Sequence, residues 1–192
     1  MTAEQHATFS RPAKLRIEDF SLLDRAGSFA GHKKVELIDG TIFVVNAAFT
    51  RHAWATKIML RRIDDALERV GSAYMALSEA SVSMPPHDLP QPDVVVTSAS
   101  IGQTYVPLAS VALIVEVADS SVDDDLGGKA RLYAAHAVPE YWVVDLPARL
   151  LHQHWSPRAE GYRERASTPL GEPITSISLP ELAISTERVL PS

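Results

Sequence analysis

Short apolar blocks alternate along this chain with longer stretches of helical periodicity. Two blocks stand out: Pro92-Asp93-Val94-Val95-Val96-Thr97 and the run from Val111 to Ala118. Both are strand-length and rich in β-branched side chains, so they predict buried strands of a central sheet. Val35 to Val45 predicts a β-hairpin. Its two β-rich runs are joined by Asp39-Gly40, a pair that accepts the positive φ of a tight turn. From Arg51 to Val70 the apolar positions Ala55, Ile58, Met59, Ile63, Ala66, Leu67 and Val70 fall on one helical face, with Thr50 as the expected cap and Gly71 as the stop. A shorter helix is expected over Leu15–Ala26, ending at Gly27. Asp123-Asp124-Asp125 opens another, which runs to about His136 before Val138-Pro139. Further strands are expected at 73–83, broken by Pro85-Pro86, at Tyr141–Asp145 and at Leu150–Trp155. From residue 162 the pattern weakens into short edge-like pieces. This mixture of strands and helices predicts an α/β or α+β domain, a sheet with flanking helices.

Size fits one such core. The chain has 192 residues, 46% of them hydrophobic and 22% charged. A single domain over 15–190 is expected, behind a frayed segment 1–14. Cysteine is absent, which excludes disulfides and thiolate metal sites. No apolar run approaches the roughly 20 residues that span a bilayer, and the polar N-terminus has no signal core. A soluble cytoplasmic protein is therefore expected. The formal net charge of −6 argues against a protein that binds nucleic acid through a broadly basic surface. Acids that serve as metal ligands would account for part of that excess. Basic residues are also grouped locally, at Lys33-Lys34 and at Lys57, Arg61 and Arg62.

Asp93 and Glu116 carry the chemistry. Each is a lone carboxylate inside an apolar strand run. Burying an unpaired charge costs several kcal/mol, so two such acids on successive strands call for a shared cation. Lys129 follows on the next expected helix. Two acids and a lysine are the donor types needed to hydrolyse a phosphodiester. The acids hold a hard divalent ion, for which Mg²⁺ is suited and Mn²⁺ is an alternative. The carbonyl of Val117 is a further ligand, and the lysine orients water or offsets developing charge.

Several ordered pieces resemble one family. They are Val35-Glu36-Leu37-Ile38-Asp39-Gly40, His52, Gln91-Pro92-Asp93-Val94-Val95-Val96, Ile114-Val115-Glu116-Val117, Ser120-Ser121, Asp125 with Lys129, and Val138-Pro139-Glu140-Tyr141-Trp142-Val143-Val144-Asp145. Together the set resembles the putative restriction endonuclease family of the PD-(D/E)xK nuclease superfamily over roughly residues 15–190. The resemblance implies a restriction endonuclease-like fold, a mixed sheet flanked by helices. It implies Asp93 and Glu116 as motif acids, Glu36 as an additional acid, Lys129 as the catalytic lysine, and DNA as substrate. One departure is visible. The superfamily lysine falls two residues after the glutamate, where this chain has Ala118. Lys129 matches the family's alternative placement on the following helix. His52 matches a family histidine.

Other readings of these residues stay open. Asp125 is a first-turn acid or a partner of Lys129 four residues on. Glu36 is a site acid or an outward strand residue. Tyr141 and Trp142 belong to the core or to a subunit interface, and Trp142 and Trp155 can stack on bases. His152 and His154 share a strand face and can bind a transition metal only with a third ligand. Cutting both strands of a duplex calls for two sites, hence a homodimer. Lys33, Lys34, Arg51, and Lys57 or Arg61 are candidates to line a substrate groove, and His52 and Lys34 are the expected substrate-binding residues. Two other readings compete. One is a catalytically inactive nuclease-fold module that binds protein or nucleic acid. The other is a hydrolase of smaller phosphate esters.

Overall fold

The computed structural model describes residues 12–45 and 49–190, so most of the expected frayed segment lies outside the described residues. Chain order is α1 (Ile17–Arg25), β1 (Lys34–Ile38), β2 (Thr41–Val45), α2 (Thr50–Arg69), β3 (Met75–Ser78), β4 (Val82–Ser83), β5 (Val94–Thr97), β6 (Val106–Pro107), β7 (Val111–Ala118), α3 (Val122–Asp124), α4 (Ala130–Ala135), β8 (Glu140–Asp145), β9 (Leu150–Arg158), β10 (Gly161–Pro169), β11 (Pro173–Thr175) and β12 (Ala183–Ser185). Between α3 and α4 the helix widens into a π-turn, Asp125–Lys129.

A six-stranded mixed sheet, ordered β10-β9-β8-β7-β5-β3, forms the centre. Within this sheet only β7 and β8 run parallel. Parallel neighbours cannot be joined by a hairpin, so the chain between them must cross a sheet face. That crossover is α3, the π-turn and α4, and it carries Lys129 back over β7. Every residue of β5, β7 and β8 is buried, as expected of strands covered on both faces. On one face, Ala55, Met59, Ile63, Ala66 and Leu67 of α2 pack on Val94, Val96, Val115, Val117, Trp142 and Val144. Ile174, Leu182 and Ile184 of the C-terminal segment join that layer. On the other face, Ala130 and Tyr133 of α4 pack on Val95, Ile114, Ala118, Tyr141 and Val143. Each large side chain buried this way contributes about 1.5–3 kcal/mol.

The β1–β2 hairpin forms as the sequence predicts. Asp39 and Gly40 both have positive φ, 49° and 74°. A side chain at Gly40 would also collide with Lys14, its ideal Cβ falling 2.5 Å from the Lys14 Cβ. One hairpin face, with Leu37, Val35 and Ile42, packs against Ile17 and Phe20 of α1. Paired backbone bonds between Leu37 and Leu89 fasten the hairpin to the strand that leads into β5.

Four expectations need correction. Thr50 is the first residue of α2 rather than its cap. The cap is Phe49, without a side-chain bond, and the Arg51–Asp119 ion pair ties this first turn to the end of β7. Val70 lies past the helix end and is half exposed. Tyr141 and Trp142 are fully buried, so they are core and neither a subunit interface nor, for Trp142, a base-stacking surface. The tail is not made only of short pieces: β10 is nine residues long, pairs with β9, and is mostly exposed, which removes the alternation that would have marked it.

Candidate active site

Register places the two motif acids side by side. Val94 pairs with Val115 in the antiparallel β5–β7 ladder, and one step further brings Asp93 beside Glu116. Asp93 lies just before β5, where β7 runs on beyond its pairing with β5. Its backbone N–H points at Glu116 Oε2, 3.3 Å away, and its Oδ2 accepts the Val117 N–H at 2.8 Å. In a strand the carbonyl of a residue points the same way as its N–H. Val117 therefore directs its carbonyl toward the same edge. Strand alternation puts Glu116 on the α4 face with Ile114 and Ala118.

The crossover helix supplies the next groups. Lys129 Nζ donates to Glu116 Oε1 at 2.9 Å and lies 3.7 Å from Asp125 Oδ1 and 4.0 Å from Glu36 Oε1. Tyr133, one turn on, donates its hydroxyl to the same Glu116 oxygen at 2.8 Å. The π-turn includes Gly127 and Gly128, which weaken α-helical preference at the point where the turn widens. Asp125 accepts from Ser121 Oγ at 2.6 Å, so it is at once a first-turn acid and a neighbour of Lys129.

The hairpin and α2 close the other side. Alternation along β1 puts Lys34 and Glu36 on one face, opposite Val35 and Leu37. Glu36 is buried and accepts the Gln91 N–H at 2.8 Å, which excludes an outward-facing role. Lys34 Nζ stands 3.6 Å from Asp93 Oδ1. His52, in the first turn of α2, meets Asp93 Oδ2 through Nε2 at 3.0 Å. Asp93, Glu116, Glu36, Lys129, Lys34, His52 and Val117 thus form one connected cluster, joined by Asp125 and Tyr133. Nothing in the sequence pointed to Tyr133, because its hydroxyl meets Glu116 only through the crossover.

Electrostatics split the two motif acids. Burial pushes Glu116 up, and the neighbouring Asp93 charge adds to this. Lys129 opposes both, and the result is about 7. Asp93 also feels burial, but the His52 hydrogen bond, the Lys34 charge and the Val117 amide hold it down at about 2. Two adjacent carboxylates cannot both ionise cheaply, so the pair divides its charge. The hydrogen bond to Asp93 raises the His52 pKa. Burial alone would lower Lys129, but Glu116, Glu36 and Asp125 raise it well above the ordinary lysine value, so the ammonium stays charged.

Ala118 lies on the same face as Glu116 and is fully buried in the layer that includes Ala130. The Lys129 ammonium reaches Glu116 from the crossover helix. The ends of Asp93, His52, Lys34 and Lys129 retain side-chain exposures of 12 to 22%. The cluster is therefore partly open to solvent. Other candidates stand apart. Arg61 pairs with Asp65 along the exposed side of α2, and Lys57 lies 5.9 Å over the Trp54 ring. His152 shares a hydrogen bond with Ser167 at 2.8 Å, and the His154 ring packs tilted against Tyr141 and Tyr162. His152 Nε2 lies 3.5 Å from Asp145 Oδ2, and His154 Nδ1 is buried without a hydrogen-bond partner. Among the described residues, no three His, Cys, Asp or Glu side chains are arranged to surround one ion, at this pair or elsewhere.

No curated protein shows significant similarity to the chain. Its fold is similar to the crystal structure of a putative nuclease belonging to DUF820 from Anabaena variabilis ATCC 29413. The TM-score is 0.68 at 14% identity, over 91% of this chain and 97% of that one. The architecture is accordingly restriction endonuclease-like. No described helix is long and apolar enough to cross a membrane. The profile of one family, described as putative restriction endonuclease, matches residues 17–187, nearly the whole sheet-and-helix core, and the chain belongs to this Uma2 family.

Proposed function

We propose that the protein is a divalent-metal-dependent endonuclease that hydrolyses DNA phosphodiester bonds. One observation carries the reading: two buried acids on neighbouring strands share an edge with a charged lysine 2.9 Å from one of them. The donor set fits Mg²⁺, or Mn²⁺, in the regime where protein supplies few ligands. Mg²⁺ is commonly held by one or two carboxylates with several retained waters. The lack of a three-sided side-chain cage is compatible with that habit. Asp93, Glu116 and the Val117 carbonyl would hold the ion. When bound it supplies Lewis-acid polarisation of the phosphate and lowers the pKa of water.

The chain's own groups divide the remaining work. Lys129 stays protonated, so it serves as a hydrogen-bond donor to water or phosphate rather than as a base. Tyr133 holds the Glu116 carboxylate in one orientation. Glu36 and Asp125 keep the Lys129 ammonium in place from two further sides. Lys34 and His52 reach Asp93 from the hairpin and from α2, and are placed to meet a phosphate. A homodimer would carry two such sites, one for each strand of a duplex.

The test is cleavage of supercoiled plasmid in Mg²⁺ or Mn²⁺ by wild type, Asp93→Ala and Glu116→Ala. Nicking or linearisation that needs the ion and is lost in both variants is the expected result. Metal binding without cleavage would remove duplex DNA as the substrate. Neither binding nor cleavage would leave an inactive nuclease-fold binding module.

A further inference from the structure

Large apolar side chains stand exposed where the site opens. Phe43 is 50% exposed and Phe49 is 70% exposed. Phe43 is directly opposite Glu36 in the β1–β2 register, and directly opposed residues project from the same hairpin face. That face also carries Lys34. Phe49 immediately precedes α2 on the line His52, Thr56, Met59 and Ile63, spaced three and four apart. Met59 and Ile63 are fully buried on this line, and His52 meets Asp93. At Phe49 the line runs past the packed core and the ring faces solvent. One phenylalanine thus flanks Glu36 and the other flanks His52.

Charge decides what these rings suit. Intact duplex is bound chiefly by neutralising phosphates, and that term is strong only for a basic surface. This chain carries a formal net charge of −6, with four buried or nearly buried acids gathered at the site. Its cations at the site are few and already set against carboxylates: Lys34 and His52 beside Asp93, Lys129 beside Glu116, and Arg51 paired with Asp119. Aromatic rings beside a small number of cations are instead the equipment for unpaired nucleotides, whose bases offer a π-face to stack on. A duplex hides those faces.

We infer that Phe43 and Phe49 form a stacking platform for unpaired bases flanking the scissile phosphate, so that the substrate is single-stranded or locally unpaired DNA. This rests on the endonuclease reading above. The cations hold the backbone and the rings hold the bases on either side of it. Exposed Trp54, with Lys57 over its ring, lies further along α2.

The experiment is equilibrium binding of a 20-nucleotide strand containing 2-aminopurine, and of its duplex, in Ca²⁺ with the full chain. Wild type is compared with Phe43→Ala, Phe49→Ala, and the tyrosine substitutions Phe43→Tyr and Phe49→Tyr. Single strand should bind about tenfold tighter than duplex and quench the probe. Each alanine should weaken single-strand binding about tenfold, the scale of one base stack. Duplex binding should not change, and the tyrosines should retain wild-type affinity. Equal affinity for strand and duplex, or alanine variants without effect, would overturn the inference. Loss of self-association in the alanine variants, with strand binding intact by sedimentation, would make the face a contact between copies and also overturn it. The plasmid assay separates the two levels. Cleavage with indifferent phenylalanines removes this inference alone, whereas stacking without cleavage removes the nuclease reading and leaves Phe43 and Phe49 as a single-strand binding platform with no scissile phosphate.

Discussion

Replacing Lys129 by methionine keeps the unbranched stem and deletes the ammonium that three acids share. In the metal-free protein, Glu116 at 2.9 Å, Asp125 at 3.7 Å and Glu36 at 4.0 Å would lose their common counter-charge. All three carboxylates are 2 to 4% exposed, so water cannot replace it. Removing one partner of a buried ion pair costs about 3–5 kcal/mol. Lys129 is itself partly exposed and Glu116 readily takes up a proton, which places the loss near 3 kcal/mol. For a domain of this size that is a fall in Tm of about 6–12 °C. The pH dependence has a definite sign. Burial pushes Glu116 up to about 7 in the folded chain, against an ordinary value of 4.5. A carboxyl raised in this way contributes stability that is present below its unfolded pKa and lost as pH rises through the folded one. Deleting Lys129 deepens that loss. The deficit of Lys129→Met should therefore be largest at about pH 8.5 and shrink toward about pH 5, where the acids take protons. Urea unfolding in EDTA at both pH values measures it. An unchanged midpoint at the higher pH, or an equal deficit at both, would refute the shared-counter-charge account.

Further outcomes follow from other contacts. Tyr133→Phe should keep the fold and lower metal affinity or cleavage about 10- to 100-fold, as removal of a ligand-orienting hydrogen bond does, measured by Mn²⁺ titration and initial rates. Glu140 accepts from Trp142, Gln153, Ser176, Ser178 and the amides of Ile177 and Ser178, tying the C-terminal segment to the sheet. Glu140→Gln turns an amide N–H₂ toward some of those donors and should cost about 3 kcal/mol in urea unfolding, with specific activity of the folded fraction intact. Asp88 feels burial, but His136 and the Asp39 amide hold it below its ordinary value. Its contribution is present above the ordinary value of 3.8 and is lost as pH falls through the lower folded value. The Tm gap between wild type and Asp88→Asn should thus stay constant above about pH 5 and close in stronger acid.

The sequence carried some of this and hid the rest for physical reasons. Asp39-Gly40 announces its hairpin because few residues accept positive φ at two successive positions. The valines of β5 and the run of β7 announce buried strands, since nothing polar interrupts them except the two acids. Those acids were legible because an unpaired buried charge demands an explanation. What they meet was less legible. Lys34 lies 59 residues from Asp93 in sequence, and Tyr133 touches Glu116 only because β7 and β8 are parallel and force a crossover. The π-turn gave only the pair Gly127-Gly128 as a sign. Glu140 gave no sign of its role in the sequence because most of its donors arrive from residues 176–178. Tyr141 and Trp142 could not be divided between core and interface until the helix and sheet that cover them were in place.

Anomalous scattering from crystals grown in Mn²⁺ tests the central claim most directly. The account predicts one peak at about 2.1 Å, the distance of a hard divalent ion, from carboxylate oxygens of Asp93 and Glu116 and from the Val117 carbonyl. Lys129 should still reach Glu116, and the peak should vanish in Asp93→Ala. A fully loaded crystal with no peak between the two acids, or a peak only at His152 and His154, would contradict it.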